Sequence, residues 1–149
     1  MKVIENLDNM YNLKINTSFV SPLTLPKFID SNILPIFIIR SIWNSDLIGK
    51  YEDTKLHFKE LSPSTELFRS WRDGKIDFSE YSKKYVIELS KLDFKKEIEK
   101  MKYLADLCKT DRIVLLGYGS NNKTCHRSVL ADVLNKSGLL QDKITELIL

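Results

Sequence analysis

Two short apolar segments, separated by a long stretch of helical periodicity, constrain the fold of this chain most. Residues 33–42 and 112–118 are rich in β-branched and aliphatic side chains with few polar interruptions. Continuous apolar strands are typical of parallel sheets that are covered on both faces. A helical connection between two such strands places them parallel. The sequence therefore predicts an α/β fold, a small and mostly parallel sheet with helices on both faces.

Capping residues mark the helices between these two strands. Ser62 followed by Pro63 predicts a helix of about two turns that ends before Gly74. Asp77 with Glu80 three residues later forms a capping box for a helix over residues 78–90. Asp93 is expected to cap a third helix, with Glu97 on its solvated face. The predicted apolar stripe of that helix comprises Phe94, Ile98, Met101, Ala105 and Cys108.

Shorter segments complete the pattern. Residues 13–20 partly alternate apolar and polar side chains and predict a first strand, and residues 55–58 predict a short one. Residues 44–53 are expected to be a polar loop. Pro35 cannot donate a ladder hydrogen bond, so it is expected near the start of its strand. A last helix is predicted over residues 125–136, and residues 141–149 form either a helix or an edge strand.

Length and composition place the chain among ordinary globular proteins. Its 149 residues are typical of a single domain, residues 1–149, with a core over about 13–137. The net charge of +3 is too small to support nucleic-acid binding by itself. The two cysteines form no disulfide framework, and no segment resembles a signal peptide or a membrane span. We expect a cytoplasmic protein that binds no membrane and needs no cofactor or metal.

The exit of the second apolar strand carries the candidate functional residues. Gly117 and Gly119 allow close backbone approach and positive φ. The start of the following helix offers free N–H groups that favour an anion. Cys125 lies at that start beside Arg127, an arrangement that lowers the pKa of a thiol. The same parts would serve an anion pocket or a reactive thiolate.

An anionic small molecule, such as a nucleotide, or a nucleic-acid end is the ligand that these parts predict first. Arg40 follows the first apolar strand, at the edge where parallel sheets bind ligands, and with Arg127 it would clamp an anion. Trp43, Trp71 or Tyr118 could stack on a base. The predicted ligand-binding residues are Arg40, Arg127, His126, Tyr118, Ser120 and Asn121.

A cysteine-dependent enzyme is the alternative, with Cys125 as nucleophile and His126 or His57 as base. Neighbouring residues of a helix diverge by about 100°, so Cys125 and His126 would meet only in a non-helical turn. A purely structural interpretation is also open, with Thr124 as the helix N-cap and Cys125 as a small buried residue. A non-catalytic interaction protein with lysine-rich helices is the second functional alternative.

Known phosphate-binding and metal-binding templates do not fit this segment. A tyrosine-phosphatase loop requires arginine six positions after the cysteine, where this chain has Ala131. A Walker loop is absent, and Gly117 and Gly119 form only part of a dinucleotide fingerprint. The two cysteines and two histidines lack the paired spacing of a zinc site.

Residues 124–131, preceded by the strand at 113–116, resemble a known family. They match the Cys-His-Arg-Ser-x-Leu-Ala signature of the domain of unknown function 488 family. Residues 37–41 resemble the family's strand that ends in arginine. Residues 61–67, followed by Trp71 and the helix over 78–89, resemble its Leu-x-Pro-Ser-x-Glu-Leu branch.

The resemblance covers roughly residues 13–137 and has consequences for fold and site. Residues 15–20 resemble short archaeal members. The family implies an α/β sandwich and supplies no agreed activity, so whether the chain is an enzyme stays open. Many members carry a cysteine and a glutamate roughly where Gly117 and Gly119 lie. A glutamate acting there as acid or base would be missing from this chain.

Overall fold

The computed structural model describes residues 10–42, 46–119 and 121–147. In these residues a four-stranded sheet has the order β2-β3-β1-β4, and each neighbouring pair is parallel. The predicted α/β fold with a parallel sheet is therefore confirmed. The strands are β1 (Lys14–Phe19), β2 (Leu34–Phe37), β3 (Arg112–Gly117) and β4 (Thr145–Glu146).

Helices surround this sheet. They are α1 (Thr24–Asp30), α2 (Asp46–Gly49), α3 (Thr65–Arg72), α4 (Phe78–Leu89), α5 (Phe94–Leu107) and α6 (His126–Lys136). Single 3-10 turns span Lys59–Leu61 and Asn122–Thr124. Among the helices that the structure describes, none combines the length and the apolar character that crossing a membrane requires.

The central strand β3 divides the core into two layers. Val114 and Leu116 point to one face, where Phe28 of α1 covers them. Ile113 and Leu115 point to the other, which packs against a cluster of buried residues from α4, α5 and α6. Because a strand's side chains alternate between faces, burial on both faces requires the unbroken apolar run seen in the sequence.

Strand β2 is shorter than the predicted 33–42. The ladder stops at Phe37, although the N–H of Ile38 still donates to the carbonyl of Leu116 at 3.1 Å. Beyond that point the carbonyls of Ile38 and Ile39 accept hydrogen bonds from two histidine rings. Pro35 is the second residue of this edge strand, near its start as predicted.

The cap of α3 also differs from the prediction. Ser64, not Ser62, is the N-cap, and its hydroxyl accepts from the N–H of Leu67. Glu88 of α4 accepts hydrogen bonds from the N–H and the hydroxyl of Ser64, at 2.8 and 2.5 Å. The hydroxyl of Ser62 instead donates to the carbonyl of Lys59. A tertiary contact to α4 thus decides which serine caps the helix.

The predicted caps at Asp77 and Asp93 are confirmed, whereas two predictions for α5 are wrong: the last residue of its apolar stripe and the solvated position of Glu97. Cys108 is the exposed C-cap of α5. Glu97 is buried, with its carboxylate 2.6 Å from the Lys100 ammonium. Burial is the largest influence on Glu97 and raises the pKa of its carboxyl group.

The predictions for three short segments can also be compared with the structure. Residues 55–58 form only an isolated bridge, from His57 to Phe37, rather than a strand. The predicted polar loop at 44–53 contains helix α2, and residues 43–45 lie outside the described residues. Within the C-terminal segment the edge strand is the correct alternative, because β4 pairs with Asn16 and Thr17 of β1.

Candidate functional site

A cavity of about 580 Å³ opens at the carboxyl edge of the sheet. It lies between the residues that follow β2, those that follow β3, helix α3 and the start of α6. Open parallel sheets bind ligands at this edge, because strand ends and helix starts converge there. Cys125 and His126 are among the residues that line the cavity.

Cys125 is the N-cap of α6 and fits into space that two glycines leave open. Its backbone is extended, with φ −120° and ψ 142°, and only 5% of the residue is exposed. A Cβ atom at Gly117 would lie 2.9 Å from the sulfur, and one at Gly119 would lie 3.2 Å from the Cys125 Cβ. The close approach predicted for these glycines is confirmed, but neither has a positive φ.

One nitrogen of the His126 ring faces the thiol, and the other is fixed by a hydrogen bond to the backbone. Its Nδ1 lies 3.9 Å from Cys125 Sγ, and its Nε2 lies 2.5 Å from the carbonyl oxygen of Ile38. Since a carbonyl only accepts, Nε2 carries a proton, and in the neutral ring Nδ1 accepts from the thiol. The two neighbouring side chains meet because Cys125 precedes the helix and has an extended backbone. This is the non-helical turn that a contact between neighbouring residues requires.

The environment of Cys125 favours the thiolate. Burial is the largest single influence and raises the pKa of the thiol, whereas the hydrogen bond and charge of His126 lower it. The backbone N–H of Arg127 and the Arg127 charge lower it further, and together they bring the pKa to about 7. About half of a thiol with that pKa is ionised at neutral pH. Thr124, the alternative N-cap, ends the preceding 3-10 turn instead.

Arg127 is fully buried and is not among the residues that line the cavity. Its Nη2 lies 2.9 Å and its Nε 3.1 Å from the carboxylate of Glu146, and its Nη1 donates to the carbonyl of Gly119. Thr17 donates to the same carboxylate at 2.7 Å. A direct contact of Arg127 with a ligand stays a prediction from the sequence, and this geometry favours a positioning role for it.

The cavity nevertheless contains three arginines, Arg40, Arg69 and Arg72. Arg40 follows β2 as predicted, and it donates to the carbonyls of Pro63 and Ser62 at 2.9 and 3.3 Å. No aspartate or glutamate is present among the described residues of the cavity lining. The lining is therefore strongly electropositive and suited to an anion.

Arg69 and Arg72 were not predicted from the sequence as residues of the site. Thr65, Phe68, Arg69 and Arg72 follow one another at the spacing i, i+3, i+4, i+7, which places them on one face of α3. All four line the cavity. A helix face that mixes an aromatic ring with two arginines was the signal that could have revealed them.

The remaining predicted ligand-binding residues differ in whether they line the cavity. Tyr118 and Trp71 line the cavity, and the Tyr118 hydroxyl donates to the carbonyl of Ser41. Asn121 accepts from the N–H of Lys123 and is not part of the lining. Ser120 and Trp43 lie outside the described residues.

His57 is held away from the thiol. It is buried, its Nδ1 accepts from the N–H of Asp53, and its Nε2 donates to the carbonyl of Ile39. It does not line the cavity, so the geometry favours His126 as the base. Within the described residues, no group of three or more His, Cys, Asp or Glu side chains is placed to hold a metal ion.

The fold and the site together define a parallel α/β protein with a cysteine–histidine pair in an arginine-lined cavity. The chain belongs to the DUF488-N3a family, described as the active DUF488-N3 subclade, whose model matches residues 36–138. It is also similar to the uncharacterized protein YeaO of Escherichia coli (strain K12), at 33% identity over 76 residues. That match covers 51% of this chain and 62% of YeaO. No solved structure matches the chain.

Proposed function

We propose that this protein is a cysteine-dependent enzyme that acts on a small anionic substrate. Cys125 is the nucleophile and His126 is the base. The observation that carries the proposal is the 3.9 Å contact between Cys125 Sγ and His126 Nδ1 in a cavity lined by three arginines. A cysteine paired with a histidine is an activated nucleophile, and fixed guanidinium groups hold an anion next to it.

The proposed reaction has two steps that use only these groups and water. The Cys125 thiolate attacks an electrophilic carbon or phosphorus of the substrate, and a new bond to sulfur forms. The bond to the leaving group breaks with its electron pair, and the His126 imidazolium gives its Nδ1 proton to that group. Water then attacks the intermediate, His126 takes a proton from the water, and the thiolate is regenerated.

The tautomer of His126 supports this assignment. Its Nε2–H donates to the Ile38 carbonyl, so the ring can exchange protons only through Nδ1, which faces the sulfur. A base whose second nitrogen is fixed by a hydrogen bond is the general arrangement of activated nucleophiles. The family model is described as the active DUF488-N3 subclade, and that description supports a catalytic role.

The test is the pH dependence of thiol alkylation. Cys108 is exposed, so the measurement uses a Cys108→Ser protein in which Cys125 is the remaining cysteine. We expect the iodoacetamide rate to rise with pH through a midpoint of about 7, because the thiolate is the reactive form. His126→Asn should move the midpoint upward, toward about 8.5 for an ordinary thiol.

His57→Asn is a matched control. Both histidines are buried and each donates from Nε2 to a carbonyl of the segment that follows β2, but only His126 contacts the thiol. The alkylation midpoint should not move in His57→Asn. A midpoint near 8.5 in the parent protein would contradict the proposal, and so would equal shifts in the two variants.

Reversible binding of a phosphate-bearing ligand, such as a nucleotide or a nucleic-acid end, is the second candidate. The three arginines of the cavity favour it, with Arg69 taking the place predicted for Arg127. In Cys125→Ser, a nucleotide should then raise the melting temperature as much as in the wild type. Product formation that depends on Cys125 would exclude this candidate. No described contact favours the interaction-protein alternative, which stays a prediction.

A further inference from the structure

A continuous row of aromatic rings leads from the rim of the cavity to the histidine of the site. The ring centroids of Phe68 and Trp71 are 6.2 Å apart, and those of Trp71 and Tyr81 are 5.1 Å apart. Tyr81 and Tyr85 follow at 6.5 Å, and Tyr85 meets the His126 ring edge-on at 5.8 Å. One wall of the cavity is therefore largely aromatic.

The outer part of this wall is not fully covered by the protein. Phe68 is 41% exposed, and Trp71 is half-buried. Both line the cavity, together with Tyr81. Burial raises the pKa of Tyr81, so its ring is neutral at physiological pH. Aromatic surface left open inside a cavity is suited to stacking against a flat, apolar group.

Positive charge accompanies the aromatic wall. Arg69 and Arg72 lie on the same face of α3 as Phe68, and the Arg72 guanidinium carbon is 5.8 Å from the Phe68 ring centroid. Among the described residues, the hydrogen bonds that Arg40 donates go to the neutral carbonyls of Ser62 and Pro63. Within the part of the chain that the structure describes, neither Arg40 nor Arg69 forms an ion pair.

We infer that the α3 face formed by Thr65, Phe68, Arg69 and Arg72 selects substrates in which a planar aromatic ring carries an anionic group. The inference rests on the proposed function and adds the class of substrate. The ring stacks on the aromatic wall, and Arg40 and Arg69 bind the anionic group, whereas Arg72 is already paired with Asp73 at 3.2 Å. A cavity of about 580 Å³ has the size of a small-molecule site and far exceeds the volume of a bare phosphate.

The test compares three probes for their ability to protect Cys125 from iodoacetamide at constant ionic strength. The probes are phenyl phosphate, adenosine 5′-monophosphate and inorganic phosphate, and the protein carries Cys108→Ser. The aromatic anions should protect at concentrations about tenfold lower than phosphate, because stacking adds to the shared ionic contact. Stronger protection by the nucleotide than by phenyl phosphate would assign the ring to a nucleobase, and equal protection would assign it to any aryl group.

Matched variants separate the ring from the charge. Phe68→Ala should remove most of the tenfold advantage of the aromatic probes and leave protection by phosphate unchanged. Arg69→Ala should weaken protection by all three probes several-fold. Ile87→Ala is the apolar control, since Ile87 is 60% exposed on α4 and does not line the cavity. Arg112→Ala is the corresponding charge control, because Arg112 begins β3 and lies outside the cavity.

The outcomes distinguish this inference from the proposed function. Protection by phosphate that equals protection by both aromatic anions would overturn the inference and leave the proposed function intact. Absence of protection by any probe would overturn the inference as well. The proposed function fails separately, if the alkylation midpoint of the parent protein lies near that of an ordinary thiol.

Discussion

Arg127 and Arg69 carry the same charge in two different environments, one buried and paired and the other exposed at the cavity. Arg127 has no exposed surface and is paired with Glu146 of β4. Arg69, across the cavity on α3, is exposed and forms no ion pair with any described residue. A guanidinium already bonded to a carboxylate has little attraction left for a ligand, whereas an unpaired one retains it.

The geometry favours a structural role for Arg127, and we propose a role in recognition for Arg69. Arg127 links the edge strand β4, through Glu146, to the carbonyl of Gly119, which lies against Cys125. The Arg69 side chain forms no ion pair with any described residue and lines the cavity. The arginine of the Cys-His-Arg signature is therefore the one whose replacement should affect folding most.

The largest expected effect is on the stability of Arg127→Met. Removing the guanidinium leaves the Glu146 carboxylate without its partner, and we expect a loss of about 3 kcal/mol in the free energy of unfolding. Arg69→Met should change it by less than about 0.5 kcal/mol. Urea denaturation of the two variants measures the difference.

The double variant Arg127→Met, Glu146→Leu sharpens this prediction. If the cost comes from the unpaired, partly buried carboxylate of Glu146, replacing both partners should recover most of the lost stability. A double variant as unstable as the sum of its single variants would show that the ion pair is not the cause. Equal stability losses in Arg127→Met and Arg69→Met would contradict the different roles given to the two arginines.

The second largest effect is expected for Gly117→Ala. The added methyl group would lie 2.9 Å from Cys125 Sγ, and we expect a destabilisation of about 1 to 3 kcal/mol. Gly49→Ala is the control, because a Cβ atom at position 49 meets nothing within 4 Å. Thermal or urea unfolding gives both values.

A second substitution checks the cause of this clash. Cys125→Ala removes the sulfur, and the nearest remaining contact of a Cβ at position 117 is then 3.5 Å, to His126 Cε1. Gly117→Ala should cost much less stability in a Cys125→Ala protein than in the wild type. An unchanged cost would place the strain elsewhere in the strand.

A smaller effect is expected for Thr17→Val. The Thr17 hydroxyl donates to Glu146 Oε1 at 2.7 Å and helps to hold the carboxylate that binds Arg127. Its loss should cost about 1 kcal/mol, the usual contribution of one such hydrogen bond. Thr145→Val is the control, because the hydrogen bond that the Thr145 hydroxyl accepts from Asn16, among the described residues, is exposed. Similar urea midpoints for the two variants would contradict the prediction.

Much of the fold could be predicted from the sequence, because its signals are local. The apolar run of β3 and the caps Asp77 and Asp93 depend on residues within a few positions of one another. The end of β2 could not be predicted, since the Ile38 carbonyl is bound by a histidine 88 positions later. The choice of Ser64 as cap depends on Glu88 in the same way.

The same difference between local and long-range signals decides which parts of the site could be predicted. The Cys125–His126 pair was visible because the two residues are adjacent in the chain, and only the conformation of the turn was open. Glu146 gave no sign of being the partner of Arg127, because it belongs to a two-residue strand without a pattern of its own. Arg69 resembled an ordinary solvated charge until the fold placed α3 beside the cavity.

The contact between Gly117 and Cys125 has a consequence for how sequences of this fold can vary. In this chain a Cβ atom at position 117 and the sulfur at position 125 require the same small volume, although seven residues lie between them. A side chain gained at position 117 must therefore be accommodated by a shift of the strand or of the turn at the start of α6.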